Sequence, residues 1–377
     1  MAKAKNEKKL KNTGMKSGDF ILVILTLSLV VFGVIMVFSA SYYYAISEEG
    51  DAYYYLKRDL IWAATGFIGL LVMAMIDYKY LKKMAIPFLI VSIILLLLIF
   101  TPLGVTRNFA TRWISIGGIT IMPGEFAKIA AIIFVSWFLS RKPKVINSIT
   151  RGIIPVLAIA VIYGALIMKQ PNMSTAITVC GIIIAIMFFA GLKWRYIGIV
   201  GGLGVAGALA LIFMDEDGYR LERVLSFRDP FADKLDTGYQ VVQSLLSLGS
   251  GGLFGVGLGK SIQKNLYLPE PHNDFILAII GEELGFIGIT ILMMVYVALI
   301  WRGFHIAINA KDMFGCLLAA GISTMIALQV LMNVAVVTSS MPPTGVTLPF
   351  VSYGGNALWL FMGSIGILLN ISRHSAK

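Results

Sequence analysis

Charged residues are scarce in this sequence: Asp, Glu, Lys and Arg make up 14% of its 377 residues, whereas 58% are hydrophobic. A water-soluble chain carries about 25% charged residues, so this composition excludes a soluble globular protein. Cysteine is nearly absent too, since the chain has only Cys180 and Cys316, both within apolar runs. That excludes a disulfide framework and a cysteine-based metal site. What the sequence has instead is long apolar segments, which are typical of an integral membrane protein.

Ten apolar segments approach or reach the length needed to cross the hydrocarbon of a bilayer, which takes about 20 residues of helix. They lie at residues 20–40, 60–76, 84–101, 119–139, 152–168, 172–191, 197–214, 275–300, 313–336 and 357–371. They predict an all-α integral membrane protein in which residues 20–371 form a single ten-helix membrane domain.

The net charge of +11 comes from basic residues in short clusters between apolar runs. This pattern sets membrane topology, so nucleic acid is not expected as a partner. Segments on the side of the N-terminus hold 19 Lys and Arg, against 5 in the four short loops on the other side. The positive-inside rule therefore predicts that the basic tail 1–19 and the tail 372–377 are cytoplasmic. The long loop 215–273, between the seventh and eighth spans, is then extracytoplasmic.

Two pairs of ionisable residues lie within predicted spans, where each charge costs at least about 2.5 kcal/mol. Glu125 and Lys128 are three positions apart and share one helix face. They predict either a structural ion pair or a polar wall of a cavity that receives a charged head group. Glu282 and Glu283 are adjacent and cannot share a face, so proton relay and structural hydrogen bonding are both possible for them.

Asp274 directly follows the long loop 215–273 and precedes a long apolar helix. Its position suits a helix N-cap. A carboxylate at the water–lipid boundary is also where a general base acting on a lipid-linked substrate would have to sit. The two roles conflict in part, because a carboxylate bonded to backbone N–H groups has a lowered pKa and is a poorer base.

Four longer segments are more specific than any short motif: RVLSFRDPFAD (223–233), GYQVVQSLLSLGSGGLFGVGLG (238–259), QKNLYLPEPHNDFILAIIGEELGFIG (263–288) and PPTGVTLPFVSYGG (342–355). With weaker matches at 111–128 and 170–176, they make the chain resemble the SEDS family of polytopic peptidoglycan polymerases, the group of FtsW, RodA and SpoVE. LPEPHNDFI and PPTGVTLPF look closer to the division and sporulation branch. The chain departs from the family at Met122 and Gly124 of its Met-Pro-Gly-Glu run, and at Asn172, where the family commonly has Asp.

The resemblance implies a glycosyltransferase that polymerises lipid II on the outer face of a bacterial cytoplasmic membrane. Lipid II is a disaccharide-pentapeptide carried on undecaprenyl pyrophosphate. By resemblance, Asp274 is the general base that takes the proton of the acceptor's 4-hydroxyl. Arg112, Trp113, Glu125 and Lys128 are expected to bind substrate. Further candidates for substrate binding are Arg223, Lys264, His272 and Glu283.

Negative charge develops on the departing pyrophosphate and calls for cations, for which Arg112, Lys128, Arg223 and Lys264 are the candidates. Mg²⁺ or Mn²⁺ carried on the substrate's pyrophosphate is a further expectation, because the sequence contains no protein metal cage. The resemblance also implies a class B penicillin-binding protein, a transpeptidase, as partner, together with other division or sporulation membrane proteins. Two other functions stay open, a lipid II flippase and a non-catalytic division scaffold.

Overall fold

The computed structural model describes residues 18–107, 110–117, 119–141, 143–213, 230–231, 238–343 and 345–375, and within these ranges the chain is mostly helical. A helix lies at each of the ten predicted span positions. Among the described residues, seven helical stretches are long and apolar enough to cross a membrane, as judged by length and composition. These helices indicate a multi-pass membrane protein, while the count of ten spans, their sidedness and the division into tails and domain stay predictions.

The helices are α1 (Phe20–Glu49), α2 (Tyr54–Met75), α3 (Lys79–Lys83), α4 (Ala85–Leu98), α5 (Pro123–Arg141), α6 (Ile154–Met168), α7 (Met173–Phe189), α8 (Trp194–Phe213), α9 (Tyr239–Gly251), α10 (Ile276–Ile308), α11 (Met313–Val337) and α12 (Gly355–Arg373). Short helical turns at Pro143–Val145 and Ile149–Ile153 precede α6. The strands β1 (Gly104–Arg107), β2 (Ala110–Ile116) and β3 (Ile119–Ile121) form one antiparallel sheet in that order.

This sheet corrects the all-α prediction. Residues 119–121 were predicted to begin the fourth span, but they form β3, in which Ile121 pairs with Ile114 of β2. The run I-T-I is as apolar as the helix that follows, yet its β-branched residues favour a strand. Pro123, which is well tolerated in the first turn of a helix, then begins α5. Glu125 therefore lies in the first turn of α5 rather than deep within a span.

Helices α5, α7 and α11 pack on one another at the centre of the bundle. In the most apolar stretch of α5 and α11, 72% and 78% of residues are buried, against 22% in α2 and α10. The rim helices present apolar side chains outward, as lipid-facing helices do. The central helices bury polar side chains instead: Glu125, Lys128, Thr178, Gln329 and Asn333. Because polar groups in a membrane protein face a cavity or each other, the centre is where a polar site is expected.

Both ends of the described chain meet at one end of the bundle. Asp19 caps α1 by accepting a hydrogen bond from the Leu22 N–H, and its carboxylate pairs with Arg302 of α10 at 2.5 Å. The Asp19 backbone N–H donates to Ser372 Oγ at 3.1 Å, at the end of α12. The start of α1 and the end of α12 therefore lie on the same face, which the charge pattern predicts to be cytoplasmic.

Helix α10 is broken at Gly285, where φ is 68° and ψ is −170°. This backbone conformation is essentially restricted to glycine. The loop after α9 pairs with the backbone at the break: the Phe286 N–H donates to the Gly252 carbonyl, and the Val256 N–H donates to the Glu282 carbonyl. The loop thereby supplies hydrogen-bond partners for backbone groups that have none within the interrupted helix.

The part of α10 beyond the break, residues 286–308, is about 34 Å long at 1.5 Å per residue. The hydrocarbon of a bilayer is about 30 Å thick, so this part can cross it alone. The first part, residues 276–284, is not needed to cross the bilayer. It is instead buried within the protein at almost every position.

Gly285→Ala is expected to destabilise the fold, because an added Cβ would lie 2.3 Å from the backbone nitrogen of Gly255. Strain from the backbone conformation alone costs about 1–3 kcal/mol. The matched control is Gly249→Ala in α9, where an added Cβ meets nothing within 4 Å, and helix propensity predicts a neutral or slightly stabilising effect. Thermal unfolding of both purified variants in one detergent measures the difference. Equal melting temperatures would contradict the prediction.

Candidate active site

A cavity of about 600 Å³ lies between the sheet, the central helices and two loops. Its walls come from α2, β2, α5, α7 and α11, from the loop before α10 and from the loop before α12. Three cationic and three carboxylate side chains line it: Arg58, Arg112, Lys128, Glu125, Glu270 and Asp274. Gln329, the deepest lining residue on α11, lies eight positions from the helix end at Val337, or about 12 Å along the axis. The cavity therefore reaches well into the bundle.

Asp274 lies at this cavity, half-buried, in the loop before α10. The N-cap residue of α10 is Phe275, whose side chain makes no capping hydrogen bond. The N-cap role that the sequence allowed for Asp274 is therefore wrong. Burial raises the pKa of the Asp274 carboxyl to about 7, as does the charge of Glu270, while Arg112 opposes the rise. A carboxyl with a pKa near 7 is suited to general base catalysis at neutral pH.

Strand β2 carries Arg112 and Trp113 to the cavity wall, where both were predicted to meet substrate. Arg112 Nη2 donates a hydrogen bond of 2.5 Å to the Pro171 carbonyl, which ties the sheet to the loop before α7. Gly345 lies beside both charged groups, because a Cβ added there would be 3.3 Å from Asp274 Oδ2 and 3.7 Å from Arg112 Nη1. The Asp274 carboxylate and the Arg112 guanidinium thus lie close together at the cavity.

Glu125 and Lys128 form the predicted ion pair, with Lys128 Nζ 2.7 Å from Glu125 Oε1. The Lys128 side chain is 2% exposed and the Glu125 side chain 10% exposed. Lys128 Nζ also donates to Gln329 Oε1 at 3.1 Å. Both members line the cavity. The two interpretations left open by the sequence are therefore compatible, since the pair is a buried structural contact and part of the cavity wall.

Lys264 and Glu283 pair with each other outside the cavity lining. Lys264 Nζ lies 2.8 Å from Glu283 Oε1 and donates to Ser39 Oγ at 3.0 Å, and both charged side chains are buried. Glu282 accepts hydrogen bonds from Ser261 Oγ at 2.5 Å and from the backbone N–H of Ile262 at 2.9 Å. These contacts fix the loop after α9 to α10, so for both glutamates the structure favours hydrogen bonding over proton relay.

His272 is buried among the rings of Tyr44, Tyr55 and Tyr353, at centroid distances of 5.1, 4.3 and 5.6 Å. Burial lowers the pKa of its imidazole to about 3, so the ring is neutral at physiological pH. His272 does not line the cavity, and Arg223 lies outside the described residues. Substrate binding by His272, Arg223, Lys264 and Glu283 stays a prediction.

Several cavity residues were not singled out from the sequence. Arg58 contributes a third cation, Glu270 a third carboxylate, and Gln329 a polar partner for Lys128. Gln329 and Asn333 are four apart in α11, so they share a helix face within a long apolar run. That spacing was a usable signal for a polar site on this helix.

Asn172, the departure from the family pattern, caps α7. Its Oδ1 accepts hydrogen bonds at 3.2 Å from the Thr175 backbone N–H and from Ser174 Oγ. Asn is among the best N-cap residues. This local role therefore needs no carboxylate.

Among the residues that the structure describes, no group of three His, Cys, Asp or Glu side chains is arranged to hold a metal ion. The cavity carboxylates are hard oxygen donors of the type that suits Mg²⁺, but Mg²⁺ in such sites usually shares its coordination with substrate phosphates. The donor set fits a metal that arrives with the substrate better than one held by the protein. Binding of Mg²⁺ or Mn²⁺ stays a prediction.

The family model FTSW_RODA_SPOVE, described as cell cycle protein, matches residues 20–377. "Stage V sporulation protein E" of Bacillus subtilis (strain 168) is 42% identical over 364 residues, covering 96% of this chain and 99% of the relative. "Probable peptidoglycan glycosyltransferase FtsW" of Geobacter sp. (strain M18) is 40% identical over 355 residues, covering 94% of this chain and 96% of the relative. Full-length similarity therefore extends to proteins named for sporulation and for glycan synthesis.

The fold is also shared with solved structures. A chain from "Structural coordination of polymerization and crosslinking by a peptidoglycan synthase complex" superimposes with a TM-score of 0.79 at 25% identity, covering 96% of this chain and 99% of that one. The rod shape determining protein RodA of Thermus thermophilus superimposes with a TM-score of 0.70 at 25% identity, covering 96% of this chain and 98% of that one.

Proposed function

The chain belongs to the FtsW, RodA and SpoVE family of peptidoglycan glycosyltransferases, and we propose that it polymerises lipid II into glycan strands with Asp274 as general base. The observation that carries the proposal is the position of Asp274 in a polar cavity, with a pKa raised to about 7 and a guanidinium close by. A base of this kind is half ionised near neutral pH and accepts a proton readily once ionised.

In the proposed reaction, the 4-hydroxyl oxygen of the acceptor sugar attacks the anomeric carbon of the lipid-linked donor. The new glycosidic bond forms as the bond from the anomeric carbon to the pyrophosphate oxygen breaks. The hydroxyl proton passes to the Asp274 carboxylate, and the electron pair of the broken bond leaves with undecaprenyl pyrophosphate. The reaction is balanced without a redox partner.

The cations of the cavity are assigned to the leaving group. Arg112 lies beside Asp274, Lys128 lies deeper in the central helices, and Arg58 lies on α2. Fixed cations in a cavity of low dielectric constant stabilise negative charge that develops on a pyrophosphate. Any Mg²⁺ or Mn²⁺ carried on the substrate would add to this stabilisation.

The test of the proposal is incubation of the purified full chain with lipid II, with and without a class B penicillin-binding protein. Glycan polymer resolved on a gel is the expected product. Transfer of labelled lipid II across a proteoliposome without polymer would favour the flippase instead. Assembly with the partner but neither polymer nor transfer would favour the scaffold.

We assign the active face to the extracytoplasmic side of a bacterial cytoplasmic membrane. The positive-inside count predicts that both termini are cytoplasmic. The contact of Asp19 with Ser372 places both ends of the described chain at the end of the bundle where α1 starts. The cavity is lined near the start of α2 and the start of α12, which is the opposite end. We also propose a class B penicillin-binding protein as partner, in division or sporulation.

The polymerisation rate is expected to rise with pH through about 7, because burial and Glu270 raise the pKa of Asp274 to about that value and only the ionised carboxylate is a base. Well below the pKa, the rate should fall about tenfold for each pH unit. Initial rates between pH 5 and 8.5, at lipid II concentrations well below KM, measure the pH profile of kcat/KM, which reports the pKa of the free enzyme.

Glu270→Gln tests whether the pH profile reports the pKa of Asp274. It removes the negative charge that helps to raise the pKa of Asp274, while its side-chain carbonyl can still accept the hydrogen bond that Asn273 Nδ2 donates to Glu270 at 2.7 Å. The midpoint of the profile should move to lower pH. A wild-type rate that is flat across this range would be incompatible with Asp274 as the titrating base.

A further inference from the structure

Asn333 joins the two loops that meet at Asp274. It lies on α11 with no exposed surface. Its Nδ2 donates to the Asp274 backbone carbonyl at 2.8 Å and to the Val346 carbonyl at 2.7 Å. One side-chain amide therefore binds the loop before α10 and the loop before α12 to the same point on a central helix.

The two loops are connected a second time. The Tyr353 backbone N–H donates to the His272 carbonyl at 2.9 Å. Gly345, the residue before Val346, has a left-handed φ of 74° and lies beside Asp274 Oδ2 and Arg112 Nη1. The position of the Asp274 carboxylate thus depends on how the two loops are held together.

We propose that Asn333 is the positioning residue for Asp274, in that its two hydrogen bonds fix the backbone from which the carboxylate projects. This role rests on the proposed function of Asp274 as base. Asn333 does not line the cavity, so it acts through backbone placement and makes no substrate contact. A buried amide on a well-packed helix is a rigid anchor, because both of its donors are used.

The test uses the purified full chain carrying Asn333→Asp, which keeps the side-chain volume and replaces the donating NH₂ with oxygen. Asn333→Ala serves if the buried carboxylate prevents folding. Displacement of a catalytic group by about 1 Å can cost roughly 100-fold in rate. We therefore expect kcat for lipid II polymerisation to fall by about that factor, with KM little changed.

Asn370→Asp is the matched control. Asn370 is also buried, on α12, and its Nδ2 donates to the Ala74 carbonyl at 3.0 Å. It lies near the end of the bundle at which the Asp19 N–H donates to Ser372 Oγ. This variant should lose stability without a comparable loss of kcat. Equal losses of kcat in the two variants would overturn the proposal, as would a raised KM with unchanged kcat in Asn333→Asp.

Hydrogen–deuterium exchange supplies a readout that does not depend on activity. Peptides covering residues 268–276 and 345–352 should exchange faster in the Asn333 variant and at the wild-type rate in Asn370→Asp. Unchanged exchange in the Asn333 variant would overturn the positioning role. If the wild-type chain makes no polymer, the proposed function fails, and exchange alone still decides whether Asn333 holds the two loops.

Discussion

Asp274→Asn is expected to abolish glycan polymerisation and leave the protein folded. The amide has the shape of the carboxylate but cannot take up the proton of the acceptor hydroxyl. General base catalysis contributes about 10²–10⁴-fold, so polymer formation from lipid II should fall by at least about 100-fold. The fold should tolerate the change, because Asp274 does not cap α10 and burial already disfavours its charged form.

The control for this variant is Asp51→Asn. Asp51 is an exposed carboxylate before α2, paired with Lys57 at 2.7 Å, and it does not line the cavity. Polymerisation by this control should match the wild type. Polymer formation by Asp274→Asn at the wild-type rate, with both proteins monodisperse in detergent, would remove Asp274 from the mechanism.

Lys128→Met is expected to destabilise the protein strongly and to reduce activity. It leaves Glu125 buried without its ion-pair partner, and Glu125 Oε2 already lacks a hydrogen-bond partner among the described residues. Removal of one member of a buried pair costs about 3–5 kcal/mol. Thermal unfolding of the purified variant measures the loss.

A double variant, Glu125→Gln with Lys128→Met, separates stability from function. It should recover most of the lost stability, because no uncompensated charge stays buried. If Lys128 stabilises the leaving pyrophosphate, polymerisation stays low in this folded protein. The exposed pair of Lys57 and Asp51 supplies the comparison: Lys57→Met leaves the Asp51 carboxylate in water and should have little or no effect on stability. Full activity of the double variant would show that Glu125 and Lys128 have a structural role and none in polymerisation.

The helices could be predicted from the sequence because hydropathy alone determines where a chain can cross lipid. The sheet could not, since residues 119–121 are as apolar as the helix that follows, and only their β-branched character favours a strand. The break at Gly285 was also hidden. A glycine within an apolar run is common in membrane helices, and its left-handed conformation depends on pairing with a loop some 30 residues earlier.

The site was predictable where charge stands out against apolar surroundings. The spacing of Glu125 and Lys128 predicted their ion pair, and Asp274, Arg112 and Trp113 do meet at one cavity. Whether Asp274 caps a helix depended on where α10 begins, which hydropathy locates only to within a few residues. Uncharged polar residues such as Asn333 were missed, because an amide on an apolar helix shows its importance only once its partners are known.

The broken helix α10 has a consequence for biogenesis. The stretch beyond Gly285 is long enough to integrate into the membrane by itself, and the stretch before it, which follows Asp274, is buried in protein rather than lipid. Integration of residues 286–308 into the membrane and assembly of the loop before α10 are therefore expected to be separable steps. Substitutions between Asp274 and Gly285 should leave membrane insertion intact and act later, when the inserted helices gather around the cavity.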